Sequence, residues 1–313
     1  MIMDEEELNK ILEQIESELN GTPEHDAEVL NKWGEQYRGD PDAEELMEEI
    51  SMKLVRLIMD EEGDMPLQVF EAIAETADED YEESCQLIEE KQYEEALSKL
   101  LVLSAVARIY PLSEDYVWTD FNSYLDSLVY QDYFAEEIGT REIVRHPMHP
   151  GKILYTCGSL LIEMNRAEEA MEVLETLLDL DPVCPKYLCE LGEAYKRTGR
   201  IRDAYDIAKW ALLCASDRAE LARCYRDLGY CFSETGAFED AMMLYMLSLR
   251  FQSSRLAEAE ITWIQKRAGI KPDQFPYKKI IQRCEELEIP VGLSETVKDN
   301  IAFLDMLGGN DQQ

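Results

Sequence analysis

Residues 151–182 read GKILYTCGSLLIEMNRAEEAMEVLETLLDLDP. A helical pattern breaks at Asn165-Arg166, a second one follows, and it stops at Asp181-Pro182. Leu154, Cys157, Gly158 and Leu161 share one face of the first helix, and Ala170, Leu174 and Leu177 one face of the second, at the spacing of a buried stripe. The constellation returns as Leu188, Leu191, Gly192 and Tyr195 with Ala204, Ala208 and Ala211. It comes again as Tyr225, Leu228, Gly229 and Phe232 with Ala241, Tyr245 and Ser248. From Gly158 to Gly192 is 34 residues and from Gly192 to Gly229 is 37, while the glycine-to-alanine distance is 12 in every copy. The three extra residues fall between Ala211 and Leu221, in the turn between copies, where a packed helix hairpin tolerates them. The small residues have a packing reason: each glycine lets the facing helix approach, and each alanine fills the tight crossing opposite. Gly199 and Gly236 supply the turn inside their pairs.

A helix pair repeating near 34 residues, with Leu-Gly followed by an aromatic and later a small residue, resembles the tetratricopeptide repeat family. The resemblance implies an all-α fold, an α-α superhelix of stacked helix pairs with extra N-terminal and C-terminal helices. It also implies a binding protein, not an enzyme. Four regions are expected: an acidic helical segment over 1–62, a helical region over 63–150 with one degenerate repeat and an aromatic packing helix, the three repeats over 151–253, and capping helices over 254–313.

Outward from the array, Leu8, Ile11, Leu12, Ile15 and Leu19 mark a first helix over 4–20, with Asp4 as its cap. Val29, Leu30, Trp33 and Tyr37 mark a second over about 24–37, and Leu46, Ile50, Leu54, Leu57 and Ile58 a third over 42–61. A helix pair over 67–90 and 94–110 has Tyr93, Ala96, Leu100 and Leu103 where a repeat would, but Glu83-Ser84 in place of Leu-Gly. The aromatic stretch 112–138 predicts a packing helix between the N-terminal part and the array, carrying Phe121, Leu125, Leu128, Val129 and Tyr133 and capped by Thr119. Arg145 to Pro150 predicts an extended connector, since prolines 147 and 150 bias it away from helix. His146 and His149 three apart invite a metal reading, but no helical partner motif accompanies them, and neither metal nor cofactor is expected. After the array, Leu256, Ala259, Ile261, Trp263 and Ile264 predict a terminal helix hiding the last apolar face. Two further helices follow near 276–288 and 294–307, the second capped by Ser294, and the tail 308–313 is expected to fray.

The net charge of −37 is uneven: residues 1–150 hold 40 acids and 10 bases, residues 151–313 hold 27 and 20. A field of that sign repels phosphate backbones and anionic lipid surfaces, so neither nucleic acid nor membrane is an expected partner. No apolar run approaches the length of a membrane span. The acidic start MIMDEEEL is unlike a signal peptide, which makes a cytoplasmic location the simplest expectation. The eight cysteines sit mostly at helical core spacing and read as small buried hydrophobes.

The side of each first helix opposite its Leu-Gly face is expected to line a concave groove. In the three copies that side carries Lys152, Tyr155, Ser159, Ile162 and Glu163, then Lys186, Cys189, Glu193, Lys196 and Arg197, then Arg223, Arg226, Tyr230, Ser233 and Glu234. Six bases against three acids, in so acidic a chain, favour a protein or peptide partner of acidic character. The same residues also fit ordinary solvated helix positions, and Lys196-Arg197 a helix C-terminus that attracts cations. Family members that grip chaperone tails use paired asparagines with basic residues. Ser159, Glu190 and Glu193 stand at the comparable places here, so that clamp is not expected. The leading expectation is an interaction scaffold with Lys152, Tyr155, Ser159, Lys186, Glu193, Lys196, Arg197, Arg223, Arg226 and Tyr230 on its groove. The alternative is a regulator whose groove senses a peptide and repositions the N-terminal helices. No catalytic or phosphate-binding motif is present.

Overall fold

Asn165, Gly199 and Gly236 each take a left-handed backbone, at φ of 62°, 75° and 79°, seven residues after Gly158, Gly192 and Gly229. At Gly199 and Gly236 that single residue reverses the chain and lets the second helix of the pair fold back on the first. The computed structural model describes residues 5–20, 22–37, 43, 46, 50, 53, 67–107, 115–146 and 149–308. The expected third helix lies outside them apart from Ala43, Leu46, Ile50 and Lys53, and the boundary near 63–66, the Asp4 cap and the tail beyond 308 lie outside them altogether. The chain divides into two compact units: residues 1–120 with 140–165, and residues 121–139 with 166–313.

In the first unit, α1 (Glu5–Glu18) and α2 (Pro23–Tyr37) stand where their apolar stripes predict. Leu8, Ile11, Ile15 and Leu30 close a small core with Ala43, Leu46 and Ile50. Next, α3 (Leu67–Glu89) and α4 (Tyr93–Ala107) form a hairpin turned by Lys91 at φ 63°. Ser84 is fully buried, its hydroxyl donating to the Asp80 carbonyl at 2.7 Å. Ser84, Lys91 and Ala96 reproduce the seven- and twelve-residue offsets of Gly158, Asn165 and Ala170, so this pair is built like the repeats with serine in the glycine place. It packs through α4 on α7 (Pro150–Glu163), and Tyr81 is 3.1 Å from the Thr156 hydroxyl.

Two expectations for this unit are corrected. Thr119 does not cap a helix: it ends β1 (Tyr116–Thr119), a four-residue strand. The stretch expected as a connector contributes Arg145 to β2 (Glu142–Arg145), which pairs in parallel with β1 in the register Tyr116 to Glu142. Trp118 at the pair's centre packs edge-on against buried His146, and this β-branched and aromatic pair buries better as strand than as coil. Buried Asp120 then holds the start of α7, accepting from the Gly151 N–H at 2.8 Å and lying 3.3 Å from His149 Nδ1. The helical fold stands, with this two-stranded sheet as an addition among the described residues.

In the second unit, α5 (Tyr124–Tyr133) is capped by Ser123, whose hydroxyl accepts from the Asp126 N–H at 3.1 Å, and the short α6 (Ala135–Ile138) follows. The aromatic rings pack as their number predicts, with Tyr133 4.9 Å and Phe134 6.2 Å from the Trp210 ring. Then come α8 (Ala167–Leu180), α9 (Pro185–Arg197), α10 (Ile201–Cys214), α11 (Arg218–Glu234) and α12 (Phe238–Phe251), each packed on the next. The glycines have the role their spacing implies. A Cβ on Gly192 would meet Ile207 at 3.2 Å, and one on Gly229 would meet the Tyr245 ring at 3.2–3.3 Å.

The array ends on α13 (Arg255–Ala268), capped by Ser254 and closed by Gly269 at φ 70°. Of the expected stripe, Ile264 is buried, with Ala257 beside it, whereas Ala259 is exposed and Leu256 and Trp263 are 61% and 47% exposed. After the short 3-10 turn Pro272–Gln274 come α14 (Tyr277–Glu286) and α15 (Glu295–Gly308), the latter with Ser294 accepting from Val297 N–H. Arg283 forks onto Asp240 at 2.7 and 3.0 Å, and Tyr225 donates to the Pro290 carbonyl while accepting from Gly292. These bonds hold the C-terminal helices against the third pair.

Candidate functional site

Helices α9, α11 and α13 are the first members of successive pairs, and their free sides line a recess of about 430 Å³. Its walls carry Glu193, Lys196 and Arg197 from α9, then Arg223, Arg226, Asp227 and Tyr230 from α11. Tyr245 closes the floor, and Leu256 and Glu260 of α13 form the far side. A second recess of about 380 Å³ shares Tyr230 and Glu260 and adds Ser233, Glu234 and Trp263. Leu256, Glu260 and Trp263 lie four and three residues apart, so one stripe of α13 borders both.

The charges in the first recess are mostly spent on one another. Lys196 Nζ sits 2.6 Å from Glu193 and 3.0 Å from Asp227, with its side chain only 13% exposed, and 5.4 Å from the Tyr230 ring centre. Burial pulls its pKa down, but Asp227 and Glu193 outweigh that and hold the ammonium above its ordinary value. Burial likewise raises Glu193, and Lys196 and Arg197 outweigh it, leaving the carboxyl lowered. Arg197 is 3.1 Å from Glu193; Arg223 is 3.0 Å from Glu190 and 4.0 Å from Asp227. Burial followed by Glu234 raises the Glu260 carboxyl, so the α13 side of the recess resists further negative charge.

Arg226 differs from its neighbours. It lines the same recess, half-buried, and its Nη1 is covered by protein without meeting any hydrogen-bond acceptor among the described residues. A guanidinium carries five donors and no acceptor, and a covered donor left unsatisfied costs about 1–3 kcal/mol. It is a charged donor of this recess able to gain a bond.

The expected groove residues distribute unevenly. Glu193, Lys196, Arg197, Arg223, Arg226 and Tyr230 do converge on the recess. Lys186 is exposed on the first turn of α9 and is not among the lining residues. In the first unit, Lys152 pairs with Asp78 and lies 4.9 Å from the Tyr81 ring centre, Tyr155 is half-buried, and the Ser159 hydroxyl is covered without a hydrogen-bond partner among the described residues. Ile162, Cys189 and Ser233, expected on the open side, are buried instead. These helices are covered over more than one face, because neighbours pack on both flanks. Asp227 and Glu260 are not among the expected groove residues, and Leu256 and Trp263 were expected to face the core. Asp227 is legible in the sequence, standing four residues after Arg223 and three before Tyr230 on one helix face.

Stacked helix pairs of this geometry define a helical-repeat protein. Residues 151–184 match the tetratricopeptide repeat family, and the helix pairs around that match repeat its construction. No curated protein matches the chain significantly. A tetratricopeptide repeat supports a protein-interaction scaffold, and helical arrays of this kind are typically non-enzymatic. Among the described residues no helix is long and apolar enough to cross a membrane.

Proposed function

We propose that the chain is a non-catalytic scaffold that captures an acidic peptide segment of a partner protein between α9, α11 and α13. The observation that carries this reading is Arg226, a guanidinium in the recess with a covered nitrogen that meets no hydrogen-bond acceptor among the described residues. A carboxylate is the group that best matches a guanidinium fork, accepting two parallel hydrogen bonds. Leu256 and Trp263, exposed along the same border, add apolar area for an aliphatic or aromatic residue beside that acid. The pairing of Lys196 and Arg223 within the recess limits the site to about one unsatisfied cation, so affinity rests on one acid plus an apolar anchor rather than on a run of acids.

Selection of short random peptides displayed on phage against the full chain tests this. Enriched sequences are expected to place Asp or Glu beside an aromatic or aliphatic residue. Arg226→Ala should weaken the selected peptides on the order of tenfold or more, as a charge-assisted pair of about 1.5–3 kcal/mol implies. Enrichment that ignores Arg226→Ala would overturn the reading.

A further inference from the structure

Away from the recess, the loop Asp181-Pro182-Val183-Cys184-Pro185 between α8 and α9 meets the first turn of α5 in the same unit. Asp126 of α5, Asp181 and Cys184 are all buried, each offering one ligand atom, and these atoms lie within 4.8 Å of one another. Asp126 is 8% exposed, and its Oδ2 is covered with no hydrogen-bond partner among the described residues. Two carboxylates so close in a low-dielectric interior repel, and a covered carboxylate oxygen without a donor is costly unless a cation or a proton sits between them.

We propose that Asp126, Asp181 and Cys184 form a binding site for a divalent zinc-like cation that staples the start of α5 to the loop before α9. Three features of the chemistry point to zinc rather than calcium or magnesium. A thiol among the ligands suits a borderline-soft ion, whereas hard cations take oxygen alone. Donor atoms around a tetrahedral zinc stand roughly 3–4 Å apart, given bonds of about 2.0–2.3 Å, so a modest contraction from the observed spread closes the shell. The carboxylate of Asp181 is already held in place, accepting from the Asn122 N–H at 3.0 Å and the Val183 N–H at 3.4 Å, the outer-shell support that metal-binding carboxylates have. Three protein ligands leave the fourth tetrahedral position to a water molecule. The histidines 146 and 149 take no part; His149 is engaged by Asp120 in the other unit.

The test uses the full chain, stripped with a chelator and titrated with Zn²⁺ or Co²⁺ alone. One equivalent of Co²⁺ should give the near-ultraviolet thiolate-to-cobalt band and the strong visible bands of a four-coordinate site. Cys184→Ser should lose the near-ultraviolet band, and Asp126→Asn, which keeps the shape and removes the charge, should weaken binding by at least about tenfold. Zn²⁺ should raise the melting midpoint of the parent chain and leave that of Asp126→Asn unmoved. Three results overturn the site: no thiolate band, a band that survives Cys184→Ser, or a Zn²⁺ shift unchanged in Asp126→Asn. If Asp126→Asn stabilises the metal-free chain while Zn²⁺ shifts neither protein, the two carboxylates share a proton instead, and the proposal fails.

Discussion

Lys196 has the look of a ligand-binding cation and the environment of a structural one, and replacing it with methionine separates the two. The methionine keeps the stem and the helix propensity but removes the ammonium from between Glu193 and Asp227. Removing one partner from a buried ion pair costs about 3–5 kcal/mol when the other charge is stranded. Here the stranding is partial. Asp227 retains Arg223 at 4.0 Å, Glu193 retains Arg197 at 3.1 Å, and Glu193 is one-third exposed to water. The expected loss is therefore about 2 kcal/mol, below the buried-pair range. Over a unit of this size it lowers the melting midpoint by roughly 4–8 °C. Because Glu193 is lowered and Lys196 raised, the network is intact between their ordinary values of 4.5 and 10.5. Urea unfolding followed by far-ultraviolet circular dichroism at neutral pH measures the loss. Asp227→Asn added to Lys196→Met should recover a large part of it, because the second change removes the stranded charge. A loss under about 0.5 kcal/mol, the size of an exposed pair, or no recovery in the double variant, would refute the reasoning. Arg226→Ala should by contrast cost less than Lys196→Met, since its covered Nη1 has no hydrogen-bond acceptor among the described residues to lose.

Two other perturbations follow from the packing. Gly229→Ala should destabilise by about 0–2 kcal/mol net, because the new methyl crowds the ring of fully buried Tyr245 at a cost of about 1–3 kcal/mol, offset in part by about 1 kcal/mol of helix propensity. Gly192→Ala should be near neutral in the same unfolding assay, since it meets one methyl of half-buried Ile207 and gains about 1 kcal/mol of helix propensity. Burial, partly opposed by Asp120 and reinforced by His149, lowers the His146 pKa from 6.5 to about 4. Its neutral form is the one the fold accepts, so its contribution is whole above pH 6.5 and is lost as pH falls to 4, roughly 3 kcal/mol in all. Unfolding midpoints measured between pH 7 and 4 should fall less steeply in His146→Gln, and equal slopes would contradict this.

The repeat was legible because three small or turn residues keep fixed offsets. Gly158, Asn165 and Ala170 set a seven-and-twelve pattern that Gly192, Gly199 and Ala204 copy. The same pattern in Ser84, Lys91 and Ala96 was harder to see because neither of the first two residues is glycine. Lysine at φ 63° and serine at a tight crossing are tolerated with small penalties that sequence alone does not advertise. On α13 the apolar residues Leu256, Trp263 and Ile264 do not share one face, and only Ile264 is buried. Leu256 and Trp263 share the seven-residue spacing of Ala257 and Ile264, but sit about 100° around the helix, and only packing decides which pair turns inward. The strands at 116–119 and 142–145 are too short for alternation to register, and their pairing joins segments far apart in the chain. In the recess, the bases and Glu193 are legible from the sequence, but not the cross-helix pairing that neutralises the bases. Charge counted per helix face misses Asp227 and Glu190, which act across helices on Lys196 and Arg223.

Hydrogen–deuterium exchange of the full chain, with and without a selected acidic peptide, tests the binding surface most directly. The account predicts added protection in 193–197, 223–234 and 255–263, the segments that border the two recesses, and loss of that protection in Arg226→Ala. Protection confined to other segments, such as 78–93 or 150–163, would contradict it and place the partner's surface elsewhere on the chain.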